Sequence, residues 1–307
     1  MSSKSQILSS GRLYWDGTLP YLQLMRPANI VTAIADVVAG FAIVSSLSSA
    51  EHSFLPPLGL LLATIGLYGG GVVFNDIFDV DLDMKERPER PIPSGKVPLS
   101  SAFLLGGTLL IGGIASAWAV NVTAGVFASA IAAFALLYNS ISKHNPFFGP
   151  LNMGLCRSGN LLLGAAAIPI VMEEIIYLGI IPLIYIFSIT LVSQSEVRGG
   201  NRLFLFLGFL LYLLVVGGLL YLALNFNAFT FSIPFIGLLS LLIFPPLVKA
   251  FIFPKPKFIM RSVKMGVISL IVLNASIAVI FAGWLPALSI MFLLPVSLAI
   301  SKFFAVT

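Results

Sequence analysis

Apolar residues in this chain gather into long runs with few polar interruptions. The runs lie near 27–47, 57–79, 100–119, 121–141, 151–171, 174–193, 203–224, 230–252, 265–283 and 285–304. A helix needs about 20 mostly apolar residues to cross the hydrocarbon core of a bilayer, so each run is a candidate span. The third and fourth meet at Asn121, and the last two are parted only around Trp284 to Pro286. The pattern therefore predicts an all-α, polytopic membrane bundle of nine or ten transmembrane helices. An outer-membrane barrel would instead read as short segments of alternating polarity. The connections between runs are short, so residues 1–307 read as one membrane domain, preceded over 1–25 by a polar segment.

Composition sharpens this picture. The chain is 58% hydrophobic and 9% charged, with a mean hydropathy of +1.04. A soluble domain carries about 25% charged residues, so a soluble globular protein, a nucleic-acid binder and a disordered chain are all excluded. The bilayer is the expected partner. The net charge of +5 is explained by placement. Lys85, Arg87, Arg90 and Lys96 lie between runs two and three, and Arg198 and Arg202 follow run six. Lys249, Lys255, Lys257, Arg261 and Lys264 cluster after run eight. All 17 basic residues fall on one side of the threaded chain, the side that the positive-inside rule makes cytoplasmic. A multi-pass protein of the plasma (inner) membrane, with a cytoplasmic N-terminus, is the expectation. No secretory signal peptide is visible in the first 25 residues, and the single Cys156 leaves no intramolecular disulfide.

The chemistry is concentrated at the end of the second run, in Asn75, Asp76, Asp79, Asp81 and Asp83. At about 100° per helical residue, Asn75, Asp76, Asp79 and Asp83 share one face, while Asp81 points away. Carboxylates at membrane depth are expensive and usually functional. Several on one face repel unless a cation sits among them, and hard oxygen donors of this kind suit Mg²⁺ that also binds substrate phosphate. Next come Arg87, Arg90 and Lys96 among Pro88, Pro91 and Pro93. The prolines end the helix and fix a loop whose basic side chains reach the same mouth. Guanidinium groups there suit the remaining oxygens of a metal-bridged diphosphate.

At these residues the chain resembles the UbiA superfamily of intramembrane prenyltransferases. Asn75, Asp76, Asp79 and Asp83 match its first motif, N-D-x-x-D-x-x-x-D. Arg87, Arg90, Pro91, Ile92, Pro93, Ser94 and Gly95 match the R-x-x-R-P-I-P-S-G that follows, and Arg26, Pro27 and Asn29 resemble its N-terminal pattern. The resemblance implies a bundle around a central cavity, Mg²⁺ as cofactor, a polyprenyl diphosphate donor, and prenyl transfer to an acceptor that is often aromatic. In the second motif, D-x-x-x-D, Glu196 stands at the first aspartate and Gly200 at the second, so one carboxylate remains, with Asn201 as a neutral oxygen and Arg198 as a cation beside it. The run Ser193, Glu196, Val197, Gly199, Gly200 is similar to the EboC branch of the superfamily.

The resemblance implies a metal set of Asn75, Asp76, Asp79, Asp83 and Glu196, with Asp76, Asp79, Asp83 and Glu196 catalytic. Asn29, Arg87, Arg90, Tyr138, Lys143, Arg157 and Arg198 are the expected substrate-binding residues, Tyr138 and Lys143 through a Y-x-x-x-K-like pattern. Arg157 within run five requires an anion, either Asp36, Glu196 or the diphosphate. Asp36 itself faces either the cavity or an internal basic partner. The alternative to a prenyltransferase is a non-catalytic, UbiA-like lipid-binding or export component with a degenerate second motif.

Overall fold

The computed structural model describes residues 17–48, 56–197, 200–302 and 304, without the side chains of Glu196 and Val197. Among these residues every regular element is a helix. Helix α1 covers 17–25. The chain continues with α2 (Pro27–Leu47), α3 (Leu58–Phe78), α4 (Val80–Glu86), α5 (Leu99–Trp118), α6 (Val122–Ser140) and α7 (Phe148–Ala165). It ends with α8 (Pro169–Ile175), α9 (Ile180–Val197), α10 (Arg202–Asn225), α11 (Phe229–Ile252), α12 (Pro256–Ile268), α13 (Leu270–Ala282), α14 (Trp284–Met291) and α15 (Leu293–Ile300).

Eight segments have the length and apolarity of bilayer spans, two of them continuous across α8–α9 and α12–α13. Run five forms α7, whose Asn152, Arg157, Ser158 and Asn160 are all buried. The last run is a shorter apolar segment broken into α14 and α15. The tight join at Asn121 is a hairpin. Its side chain caps α6 by accepting from the Ala124 N–H at 2.8 Å, which satisfies one of the unpaired donors at a helix start.

Successive helices pack on one another, and α13, α14 and α15 return to α2 and close the bundle. Two glycine contacts bring the elements of the site together. A Cβ on Gly40 would lie 2.0 Å from the Leu161 carbonyl oxygen, and one on Gly164 would lie 2.1 Å from that of Val37. Only bare backbone allows α2 and α7 to touch this closely. A second small cluster, of Leu24, Val73, Ile77, Ile92, Val97 and Ala102, pins the proline-rich loop after α4 onto α1, α3 and α5.

Candidate active site at the mouth of the bundle cavity

The acidic run does not continue as one straight helix. Helix α3 ends at Phe78, Asp79 adopts φ −95° and ψ 5°, and α4 starts at Val80. The backbone ladder survives the break: the Asp79 N–H donates to the Asn75 carbonyl at 3.0 Å, and the Asp83 N–H to that of Asp79 at 2.8 Å. Asp76 and Asp83 therefore stay on one face and both are buried, whereas Asp79 is half-buried and turns to another partner. Asp81 is exposed, as the helical projection predicts.

Each carboxylate of the face meets a cation. Asp76 Oδ1 accepts from Arg26 Nη2 at 2.9 Å and from Arg90 Nη1 at 3.3 Å. Asp83 Oδ2 accepts from the same Arg90 Nη1 at 2.6 Å. Asp79 is ion-paired with Lys143, which stands in the 3₁₀ turn after α6. Arg90 is aimed by its loop: the Ser94 N–H returns to its carbonyl at 3.0 Å, while Ile92 and Val97 anchor the loop in the second core cluster. Arg26 sits at the α1–α2 junction with φ 49° and ψ 66°. A left-handed conformation is costly for a non-glycine residue and tends to mark function; here it swings the guanidinium across to Asp76.

Beside this cluster lies a cavity of about 340 Å³, lined by polar side chains that include Arg26 and Arg157 and by apolar ones such as Leu67, Ile131, Ile186 and Val267. Of the sequence-predicted residues, Asn29, Asn75, Tyr138 and Arg157 line it. Asn75 is oriented by donating to Asn139 Oδ1 at 3.0 Å, and Asn139 in turn donates to the Gly71 carbonyl at 2.9 Å. Arg157 finds its anion in Asp36, with Nε 2.7 Å from Oδ2.

Other expected residues stand apart. Arg87 is exposed and has no ion pair among the described residues. Arg198 and the side chain of Glu196 lie outside the described residues. Asn201 uses its side-chain oxygen to cap α10, accepting from the Leu203 N–H at 2.9 Å. Gly200 has φ +80°, and a Cβ there would meet the Pro254 carbonyl oxygen at 2.7 Å. The backbone at that position is built for glycine and leaves no room for the missing aspartate. Tyr68 and Asn139 carry no local sequence signal of a role, and Arg26 stands out only within the Arg26, Pro27, Asn29 pattern. The signal for Arg26 was an arginine directly before the proline that starts α2 at N1.

The donor set fits Mg²⁺. Among the described residues no three of His, Cys, Asp and Glu gather as a metal cluster. Mg²⁺, however, is usually held by one or two carboxylates together with substrate phosphates. Asp76 and Asp83 flank a single cationic atom, Arg90 Nη1, so two carboxylates already converge where a positive charge is held.

Residues 37–204 match the UbiA prenyltransferase family. The digeranylgeranylglyceryl phosphate synthase of Methanococcoides burtonii is 36% identical over 151 residues, 48% of this chain and 54% of that protein. The chain thus spans about half the length of the curated relatives it matches. A solved structure described as giving insight into digeranylgeranylglyceryl phosphate synthase in membranes superposes with a TM-score of 0.65 at 23% identity, covering 88% of this chain and 99% of that one. A UbiA homolog from Archaeoglobus fulgidus, bound to GPP and Mg²⁺, superposes with a TM-score of 0.57 at 16% identity, covering 84% and 99%. These likenesses show the membrane-bundle fold.

Proposed function

Because this chain belongs to the UbiA prenyltransferase family, we propose that it is an integral membrane enzyme moving a prenyl group from a polyprenyl diphosphate to an acceptor. The observation that carries this reading is the convergence of Asp76 and Asp83 on one cationic atom beside an apolar cavity. The basic face, including the mouth, is cytoplasmic, and the membrane is the plasma (inner) membrane.

Asn75, Asp76, Asp79 and Asp83 hold Mg²⁺, with Glu196 contributing a weaker second position. Bound there, Mg²⁺ supplies neutralising charge to the diphosphate. Arg90, Lys143 and Arg26 exchange partners when the donor enters: they release carboxylate oxygens and take diphosphate oxygens, with Arg90 offering a fork that Lys143 lacks. Arg198 adds a further cation.

The bond between the prenyl C1 and the diphosphate oxygen then breaks, and its electron pair leaves on the oxygen. The allylic cation left behind is sheltered by the cavity wall, where Tyr138 and Tyr68 present aromatic rings. An acceptor oxygen forms the new bond to C1, and its proton passes to the departed diphosphate. The name of the curated relatives, which describes a prenylated glyceryl phosphate, supports an alcohol as the acceptor class.

The test is transfer from geranylgeranyl diphosphate to glycerol-ether acceptors in nanodiscs, with diphosphate release measured in parallel. Asp79→Ala is expected to abolish both while remaining folded in the membrane. Unchanged turnover in that variant contradicts the reading.

A further inference from the structure

Ten residues along α2 from Arg26, about 15 Å at 1.5 Å per residue, Asp36 is fully buried at 0% exposure. Its Oδ1 accepts from Asn274 Nδ2 at 2.6 Å, and its Oδ2 accepts from Asn160 Nδ2 at 2.9 Å. Asn160 is itself fixed: it accepts from Thr64 Oγ1 at 2.7 Å and donates to the Ala33 carbonyl at 2.8 Å. The ion pair to Arg157 completes this cage, and Arg157 Nη2 donates to Thr32 Oγ1 at 2.7 Å. The guanidinium lies 5.8 Å from the centroid of the Tyr68 ring. Four helices, α2, α3, α7 and α13, thus converge to hold one arginine in one orientation.

That orientation leaves donors unused. A guanidinium carries five N–H groups. Among the described residues the partners of Arg157 sit on Nε and Nη2, and Nη1 has none. Yet Arg157 is only 6% exposed and lines the cavity. With no partner on Nη1 among the described residues and the side chain lining the cavity, that donor is left to a ligand atom, since a donor kept unpaired away from water costs its desolvation.

Charge narrows the ligand. Asp36 cancels the charge of Arg157. Among the described residues the other charged side chain lining the cavity is Arg26, which is tied to Asp76. An anion at Nη1 would leave one uncompensated negative charge in a largely buried cavity, which is expensive. An uncharged oxygen accepts from Nη1 without that penalty. Distance fits too: Thr32 lies six residues from Arg26, about 9 Å along α2, so an oxygen on Arg157 sits one small fragment below a diphosphate held at the mouth.

Resting on the prenyltransferase reading above, we propose that Arg157 is the specificity residue for the acceptor and binds an uncharged hydroxyl or carbonyl oxygen of it. Asp36 is the positioning residue that orients the guanidinium and neutralises it. The mouth cations select the diphosphate; the deep pair selects a neutral head.

The test uses two acceptors, a geranylgeranyl monoether of glycerol and its phosphate ester, with geranylgeranyl diphosphate as donor. Binding of geranylgeranyl thiolodiphosphate with Mg²⁺ is the independent readout. The wild type is expected to favour the uncharged acceptor at least tenfold in kcat/KM. Arg157→Met is expected to raise KM for that acceptor at least tenfold while donor-analogue affinity stays within twofold, with Arg157→Lys in between. Asp36→Asn keeps the shape, leaves the guanidinium uncompensated, and is expected to shift preference toward the phosphate ester at least tenfold, a reversal that loose packing would not produce. A tenfold loss of donor-analogue affinity in Arg157→Met overturns the assignment, since Arg157 would then hold the diphosphate. A wild type that binds the analogue but transfers nothing to the uncharged acceptor, or prefers the phosphate ester, also overturns it. Failure to bind the donor analogue at all would instead sink the prenyltransferase reading.

Discussion

Two clusters of charge lie within one bundle, and they are built on opposite principles. At the mouth, Asp76 and Asp83 share Arg90, Asp76 also takes Arg26, and Asp79 takes Lys143. These partners are cations on long side chains reached from a loop, a turn and a helix junction. In the deep cluster, Asp36 is held by two asparagine amides and one arginine, all on packed helices. Partners of the first kind can be exchanged for metal and diphosphate. Partners of the second kind cannot be exchanged without opening the core, where removing one member of a buried pair strands the other charge. The difference separates the groups that do chemistry from those that hold a binding surface still.

Four substitutions break or sharpen that comparison. Asp76→Ala removes a carboxylate from the mouth and is expected to lower kcat/KM for prenyl transfer by roughly a thousandfold, the upper range for losing one preorganised electrostatic group. Its thermal unfolding midpoint in detergent should move little, because Arg90 keeps Asp83. Asp36→Ala should do the reverse in kind: it strands Arg157 and is expected to destabilise the fold by about 3–5 kcal/mol, read as a large fall in that midpoint. Arg90→Lys keeps the charge but loses the planar guanidinium whose Nη1 joins Asp76 to Asp83 and whose fork suits the diphosphate, and about a tenfold rise in the dissociation constant of geranylgeranyl thiolodiphosphate is expected. Arg87→Ala should change donor binding less than twofold, since Arg87 is exposed and lies outside the ion-paired set; a tenfold loss there would return Arg87 to the diphosphate site.

Much of this was legible along the chain. The apolar runs predict the helices because 20-residue stretches have no other home in a bilayer, and the 3.6-residue period places Asp76 and Asp83 on one face. What was hidden depends on contacts far apart in sequence. Asn274 reaches Asp36 across 238 positions, and nothing in the local pattern of α13 announces it. Arg26 reaches Asp76, fifty positions away, from a backbone that turns left-handed before Pro27. The break at Asp79, which sends that carboxylate to Lys143 rather than to Arg90, is a single-residue change of dihedral inside an otherwise continuous ladder. Gly200 reads in sequence as a lost aspartate, yet its positive φ and the nearby Pro254 carbonyl show a backbone made for glycine.

The exchange of partners at the mouth is the central claim, and equilibrium binding tests it without turnover. Geranylgeranyl thiolodiphosphate is titrated into the protein in nanodiscs, with and without Mg²⁺, for the wild type and Asp76→Ala. At least a tenfold tightening by Mg²⁺ in the wild type, lost in the variant, is the predicted result. Equal affinity with and without Mg²⁺ in the wild type would contradict it.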